Sequence, residues 1–154
     1  MVLLACADDI PSEIEYMELR SATSTAQELF ISAAKKYESG DFDNSAILLK
    51  GLLKSKEFKS PDTLSEINFF LGIIHMKKGF RNNNSKSFKL AVKYLNAVDP
   101  GTRYFNDALW YRALTELKLG NRTKGKSILE TLLKNKYLRS GEVQKLRDMV
   151  GNAM

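Results

Sequence analysis

The sequence predicts an all-α protein made of stacked helical hairpins. Its three prolines all fall where a helix would begin or a turn would lie, so few residues interrupt the apolar segments. Three helix-like segments each end at a glycine that closely follows a basic residue, and a second helix-like segment follows each one. These glycines, Gly40, Gly79 and Gly120, lie 39 and 41 residues apart. A period near 40 residues is typical of arrays of helix pairs.

An acidic N-terminal segment precedes the repeating part. Residues 1–10 are predicted as a tail, and Pro11 begins a short helix in which Ser12 and Glu15 have the spacing of a capping box. The later helices show apolar residues at every third or fourth position. Their approximate predicted ranges are 25–39, 41–54, 61–79, 85–97, 103–119, 122–134 and 141–150.

We expect one repeat domain after that segment. Residues 1–24 are assigned to the tail and the short acidic helix, and residues 25–151 to the repeat domain. The last helix carries apolar side chains on one face, so it can cover the open end of a stack. The predicted units are about 25–57, 61–99 and 103–136, with the capping helix at about 140–150.

The turns between paired helices resemble those of tetratricopeptide repeats. Three motifs carry the resemblance: residues 39–42 (Ser-Gly-Asp-Phe) at a turn, 71–72 (Leu-Gly) in a first helix and 99–100 (Asp-Pro) at a closing turn. Residues 107–121 are similar to the bacterial tetratricopeptide modules of envelope-associated proteins. The resemblance covers about residues 25–135. It implies a right-handed α-solenoid of about three such hairpins, with an N-terminal helix and a C-terminal capping helix.

The spacing of the units departs from that family. Tetratricopeptide units have 34 residues, whereas the glycines here are 39–41 residues apart. The extra residues fall within 82–86 and in the connections between units. HEAT-type repeats, with a period of roughly 40–47 residues, are the alternative. The Gly-Asp-Phe turn favours the tetratricopeptide interpretation.

In the tetratricopeptide family, the first helix of each pair lines a concave groove. The resemblance therefore implies that aromatic and apolar side chains of these helices contact a protein or peptide partner. Two alternatives stay open, because the groove is either exposed or filled by the acidic helix at residues 11–22. The predicted partner-binding residues are Phe30, Phe69 and Trp110, ten positions before each glycine, and Tyr37, Met76 and Leu117, three positions before each glycine.

The residue types argue against catalysis. The sequence has one histidine, His75, and no pair of cysteines or histidines with the spacing of a metal site. It also has no glycine-rich phosphate loop. We therefore expect a protein that is not an enzyme and uses no cofactor. Phe30 and Ala34 occupy positions where family members that clamp acidic chaperone tails have polar residues, so that activity is not expected either.

The charge is distributed unevenly. Residues 1–30 carry six acidic residues and one arginine, a net charge of −5, whereas residues 31–154 carry 23 basic and 12 acidic residues, a net charge of +11. Such asymmetry is found in proteins that bind nucleic acid, anionic membranes or acidic partners. It also fits an acidic start that docks on the basic body, or lysines that are simply solvated. Basic residues cluster at 50–59 and at 118–126. Binding of nucleic acid is disfavoured because no exposed aromatic residues are interleaved with these clusters.

The sequence therefore predicts a non-catalytic scaffold that binds a protein or peptide through its concave face. The first alternative is a scaffold that forms a homodimer through its exposed last helix. A nucleic-acid-binding helical repeat is the less favoured alternative.

Cys6 follows residues 3–5 (Leu-Leu-Ala), a pattern that resembles the lipobox of bacterial lipoproteins. The basic start and long apolar stretch of such a signal are missing here. The match is either a coincidence or a truncated signal. In the second case Cys6 is a lipidation site and the protein lies in the bacterial cell envelope or periplasm, with the cytoplasm as the alternative. No run of about 18 apolar residues predicts a transmembrane helix.

Overall fold

The computed structural model of the chain describes residues 24–58 and 60–152, whose regular structure is entirely α-helical. The predicted all-α class is confirmed. The predicted tail, the short acidic helix and Cys6 lie outside the described residues. The seven helices of the described part are α1 (Ser24–Glu38), α2 (Phe42–Lys54), α3 (Pro61–Asn82), α4 (Ser85–Asn96), α5 (Phe105–Lys118), α6 (Arg122–Lys134) and α7 (Ser140–Asn152).

Each helix packs on its neighbours along the chain, and α3 also contacts α5. One hydrophobic core runs through these contacts, and Phe30, Met76 and Trp110 are among its largest fully buried side chains. This packing follows from the helical spacing of apolar residues, because each helix must bury its apolar face against another element. Within the described residues, no helix is both long and apolar enough to cross a membrane.

The turns after α1 and α5 have the same backbone geometry. Gly40 and Gly120 adopt left-handed conformations with φ of 78° and 83°, which glycine enters without steric cost. The residue after each glycine donates its backbone N–H to the carbonyl five residues earlier, as in a Schellman motif. These two glycines therefore end their helices, as the sequence predicts. The two bonds are Asp41 N to Lys36 O and Asn121 N to Glu116 O, both 2.9 Å.

Helix α3 continues past Gly79, where the sequence predicts its end. The left-handed residue is Asn83, with φ of 45°, and Asn84 donates its backbone N–H to Gly79 O at 3.0 Å. That bond is the counterpart of the two described above, so Asn83 rather than Gly79 matches the terminal glycines. Asparagine tolerates this conformation better than most residues. The sequence predicts a loop from Phe80 to the start of the next helix. This prediction is wrong for residues 80–82, which are helical.

Gly79 permits close packing between α3 and α4. A Cβ atom on Gly79 would lie 2.6 Å from Cδ1 and Cε1 of Phe88, far inside van der Waals contact. Gly72, two turns earlier, has the same relation to Leu95, with 2.5 Å to its Cγ atom. The two helices therefore approach each other at both glycines, and large side chains of α4 fill the space.

In the pairs α1–α2 and α5–α6, the small residue at the contact between the two helices lies on the second helix. A Cβ atom on Gly125 of α6 would lie 2.5 Å from a methyl group of α5. Ser45 of α2 is fully buried, and its hydroxyl donates to a carbonyl of α1 at 2.8 Å. Both residues lie five positions after a terminal glycine, whereas the residue five positions after Asn83 is Phe88. The glycine at position 79 compensates for this large side chain.

Candidate binding surface

The six residues predicted to bind a partner do not form an open face. Five are buried in the core, and Leu117 is half-buried against it. In this conformation only Leu117 offers surface, and partner contact by the six stays a prediction. The exposed fractions of the five are 2% for Phe30, 3% for Tyr37, 5% for Phe69, 0% for Met76 and 1% for Trp110.

The end of α3 also changes which of its residues match those of α1 and α5. With Asn83 as the counterpart of Gly40 and Gly120, the residue ten positions earlier is Ile73 and the residue three positions earlier is Phe80. Ile73 is buried, and Phe80 is half-buried. The alignment that placed Phe69 and Met76 beside their counterparts assumed that α3 ends at Gly79, and this assumption is wrong.

Phe69 joins α3 to the start of α5. Its ring centroid lies 5.3 Å from that of Tyr104 and 6.0 Å from that of Tyr111. The Tyr104 hydroxyl donates to Oε1 of Glu66 at 2.6 Å, and Arg103 donates to the same hydroxyl at 2.6 Å. Burial raises the pKa of Glu66, and the hydrogen bond from Tyr104 opposes that rise. This cluster holds two helices together, and its carboxyl group is already satisfied.

His75 is buried between helices and has no hydrogen-bond partner for either ring nitrogen. Its ring stacks on Tyr94 of α4, with centroids 5.4 Å apart and planes at 7°. Burial, and then the charges of Lys50 and Lys78, lowers the pKa of His75 to about 4. The side chain is therefore neutral at pH 7 and serves packing. Within the described residues, no group of three or more His, Cys, Asp or Glu side chains could hold a metal ion.

A surface of unpaired lysines covers α4 and α6. Helix α4 contains three lysines at i, i+3 and i+7, which share one face, and no acidic residue. Helix α6 has a single acidic residue, Glu130. Among residues 24–58 and 60–152, no ion pair involves a lysine of either helix. We call the exposed members the lysine surface: Lys86, Lys89 and Lys93 of α4 with Lys124 and Lys134 of α6.

A cavity of about 280 Å³ lies within this surface, between α4, the end of α5 and the start of α6. Its lining contains two lysines, a glutamate, an asparagine and two aliphatic residues. We call it the α4–α6 cavity. Its lining residues are Lys89, Val92, Glu116, Leu119, Asn121 and Lys124.

The turn after α5 orients the polar groups of the α4–α6 cavity. Asn121 is the N-cap residue of α6, but its side chain makes no capping bond. Its Nδ2 atom instead donates to Oε2 of Glu116 at 2.6 Å. Glu116 is 6% exposed, so its charge has little contact with bulk water. The Gly120 turn thus places a buried acceptor in a cavity that two exposed lysines also line.

The sequence indicates part of this cavity. The cluster of basic residues at 118–126 is visible in the chain, and it includes Lys124. Lys89 and Val92 come from another helix about thirty residues earlier, so nothing in the local pattern joins them to Glu116. The period of the helix pairs could have suggested that α4 and α6 are near each other, but the chain does not show which faces meet.

No family model, no curated protein and no solved structure matches this chain. The resemblance to tetratricopeptide repeats therefore stays a prediction, which depends on the residues of the turns.

Proposed function

We propose that this protein is a non-catalytic scaffold of about three tetratricopeptide-like hairpins that binds an acidic protein partner. The pairs α1–α2, α3–α4 and α5–α6 are each joined by a turn with the same five-residue backbone hydrogen bond, which supports a repeated hairpin. Helix α7 packs on α6, as a capping helix does. The right-handed solenoid is part of this proposal.

The lysine surface is the observation that carries the proposal. Elsewhere in the described residues several cations are paired within the chain, as Lys36 is with Asp41 at 3.2 Å and Arg147 with Asp148 at 2.8 Å. The lysines of α4 and α6 have no such partner, and those of α4 differ from other unpaired lysines because they share one face of a helix that has no acidic residue. A surface of one sign of charge attracts a partner of the opposite sign and orients it. We therefore assign partner binding to the second helices rather than to the buried aromatic residues of the first.

An acidic protein fits this surface better than nucleic acid. None of the exposed large apolar side chains in the described part of the chain is aromatic, so no base-stacking platform is present there. The Glu116 carboxylate also lines the cavity, and a phosphodiester group has no proton to donate to it. A peptide differs from nucleic acid because its backbone N–H groups can donate to such a carboxylate.

The test uses defined probes in a fluorescence anisotropy titration. The acidic probe is a labelled peptide of three Gly-Glu-Leu-Ser repeats, and its control has Lys in place of Glu. We expect binding of the acidic peptide that weakens between about 20 and 300 mM salt, and no binding of the basic one. A single-stranded oligonucleotide that binds more tightly than the acidic peptide at low salt, or an acidic peptide that does not bind, contradicts the proposal.

A self-associating scaffold is the second candidate function. Leu138, in the turn before α7, is 99% exposed, and Met149 of α7 is 43% exposed. Two copies that pack these side chains together would form a closed dimer. Sedimentation velocity over a range of concentrations tests this candidate with the Leu138→Ser variant as control. A monomer at every concentration eliminates it, and a dimer that Leu138→Ser dissociates supports it.

A further inference from the structure

We infer that the α4–α6 cavity is the anchor point for one acidic side chain of the partner, together with the aliphatic residue beside it. This inference rests on the proposed function, because it needs a partner that is an acidic protein. It adds the place of the contact, the residues that make it and the chemistry that selects the ligand.

The size of the cavity favours a side chain over a metabolite. Pockets for complete small molecules are roughly 300–1,000 Å³ and enclose most of the ligand. The α4–α6 cavity, at about 280 Å³, is at the lower end of that range and is open to solvent rather than enclosed. One or two side chains of a larger partner fit this volume, while the rest of the partner lies on the lysine surface around it.

The charges of the cavity select a carboxylate. Lys89 from α4 and Lys124 from α6 both line it, and neither has an ion-pair partner in the described part of the chain. A carboxylate in the cavity can pair with these lysines, and charge-assisted hydrogen bonds of this kind are stronger than neutral ones. Val92 and Leu119 supply apolar contact for an adjacent aliphatic side chain.

Glu116 provides selectivity against phosphate. Its Oε2 atom accepts from Asn121, and within the described residues no side chain donates to its Oε1 atom. A backbone N–H of a bound peptide can donate to this oxygen, whereas a phosphodiester group has no proton to donate. The site therefore favours a peptide segment, which presents a carboxylate and a backbone N–H close together.

The experiment compares two double variants with the same change in net charge. Lys89→Gln with Lys124→Gln neutralises the cavity, and Lys54→Gln with Lys134→Gln neutralises exposed lysines that do not line it. Each is titrated with the Gly-Glu-Leu-Ser peptide, followed by amide chemical shifts and anisotropy. We expect the cavity variant to lose about tenfold or more in affinity and the control about twofold. The shifts of the unmodified protein should centre on Val92 and Asn121.

Glu116→Gln tests selectivity separately. Glutamine retains an oxygen that accepts from Asn121, so the fold should be kept, which circular dichroism checks. We expect dimethyl phosphate, an anion without a hydrogen-bond donor, to shift the cavity amides of this variant at lower concentration than in the unmodified protein, with peptide affinity changed by less than about threefold. Equal responses to dimethyl phosphate contradict the role of Glu116.

The remaining outcomes are distinguishable. Equal loss of affinity in the two double variants overturns the anchor site but leaves an acidic partner. No peptide binding by the unmodified protein overturns the proposed function as well. A variant of the full chain with a neutralised acidic start is compared with the unmodified protein in the absence of peptide. If the chemical shifts of the cavity amides differ between the two, the chain's own acidic start occupies the cavity and the inference is wrong. That variant carries Asp8→Asn, Asp9→Asn, Glu13→Gln, Glu15→Gln and Glu18→Gln.

Discussion

At the scale of single residues, His75 opposes the stability of the fold. Two ring nitrogens are buried without partners, and each unsatisfied polar group costs on the order of 1–3 kcal/mol. The stacked Tyr94 ring and the surrounding core recover part of that cost through packing. The residue therefore makes stability depend on pH, although it performs no chemistry.

The first prediction is that His75→Phe increases the free energy of unfolding by about 1–2 kcal/mol at pH 7, because a ring that stacks on Tyr94 remains and two unsatisfied atoms are removed. The pKa of His75 is about 4 in the folded protein and near 6.5 when unfolded, so the unfolded chain binds the proton more tightly. Proton binding by the unfolded chain therefore costs the folded state nothing well above pH 6.5 and lowers its stability progressively as the pH falls from 6.5 towards 4.

Urea unfolding at several pH values measures this effect as the difference between the two proteins. The advantage of His75→Phe should grow as the pH falls from 6.5 to 4, by at most about 3 kcal/mol. A constant difference across that window shows that the histidine does not titrate as its environment implies.

The second prediction concerns Trp110, which the sequence presents as a partner-binding residue and the structure buries at 1% exposure. Trp110→Ala should lower the free energy of unfolding by about 3–5 kcal/mol, because a large side chain leaves a cavity in the core. Thermal unfolding followed by circular dichroism measures it. An unchanged midpoint combined with a lost binding activity would instead support the groove of the original interpretation.

At the scale of helices, glycines that look alike in the sequence have different roles. Gly120 ends α5 in a left-handed conformation, and a Cβ atom there would meet nothing within 4 Å. Gly79 lies inside α3, and a Cβ atom there would overlap Phe88. Substitution at the first site strains the backbone, whereas substitution at the second forces two helices apart.

The third prediction separates these roles by a double-mutant cycle. Gly79→Ala should destabilise the protein by about 1–3 kcal/mol through overpacking, and Phe88→Leu should recover part of that loss. Gly120→Ala should cost about 1 kcal/mol, and Phe88→Leu should not recover it. Chemical denaturation of the unmodified protein and the five variants gives the coupling energies. Equal coupling at the two glycines contradicts this assignment.

Helix boundaries were predictable where local residues determine them. The Schellman turns at Gly40 and Gly120 need only a glycine at the end of an apolar pattern, and the sequence shows both. The end of α3 depends on Asn83, which takes a conformation that most asparagines do not, and on the contact of Gly79 with Phe88 nine residues later. A pattern of apolar residues contains neither the backbone angle nor the contact.

At the scale of the whole molecule, charge and burial separate two surfaces. The first helices bury the aromatic residues that the sequence singles out, and the lysines of α4 and α6 form no ion pair within the described residues. The sequence shows the excess of basic residues and predicts partner contact by the aromatic residues. That contact stays a prediction, because spacing alone does not distinguish a buried face from a groove. Lys89 and Lys124 meet at one cavity only through the packing of α4 against the α5–α6 turn.

The most direct test of an acidic partner on the lysine surface is a titration with the Gly-Glu-Leu-Ser peptide at low salt. It compares the unmodified protein with a variant that reverses the charge of α4, Lys86→Glu with Lys89→Glu and Lys93→Glu. All three side chains are exposed, so the fold should persist. We predict that peptide binding falls by about a hundredfold or more in the variant. Unchanged binding would contradict the assignment of the partner to this surface.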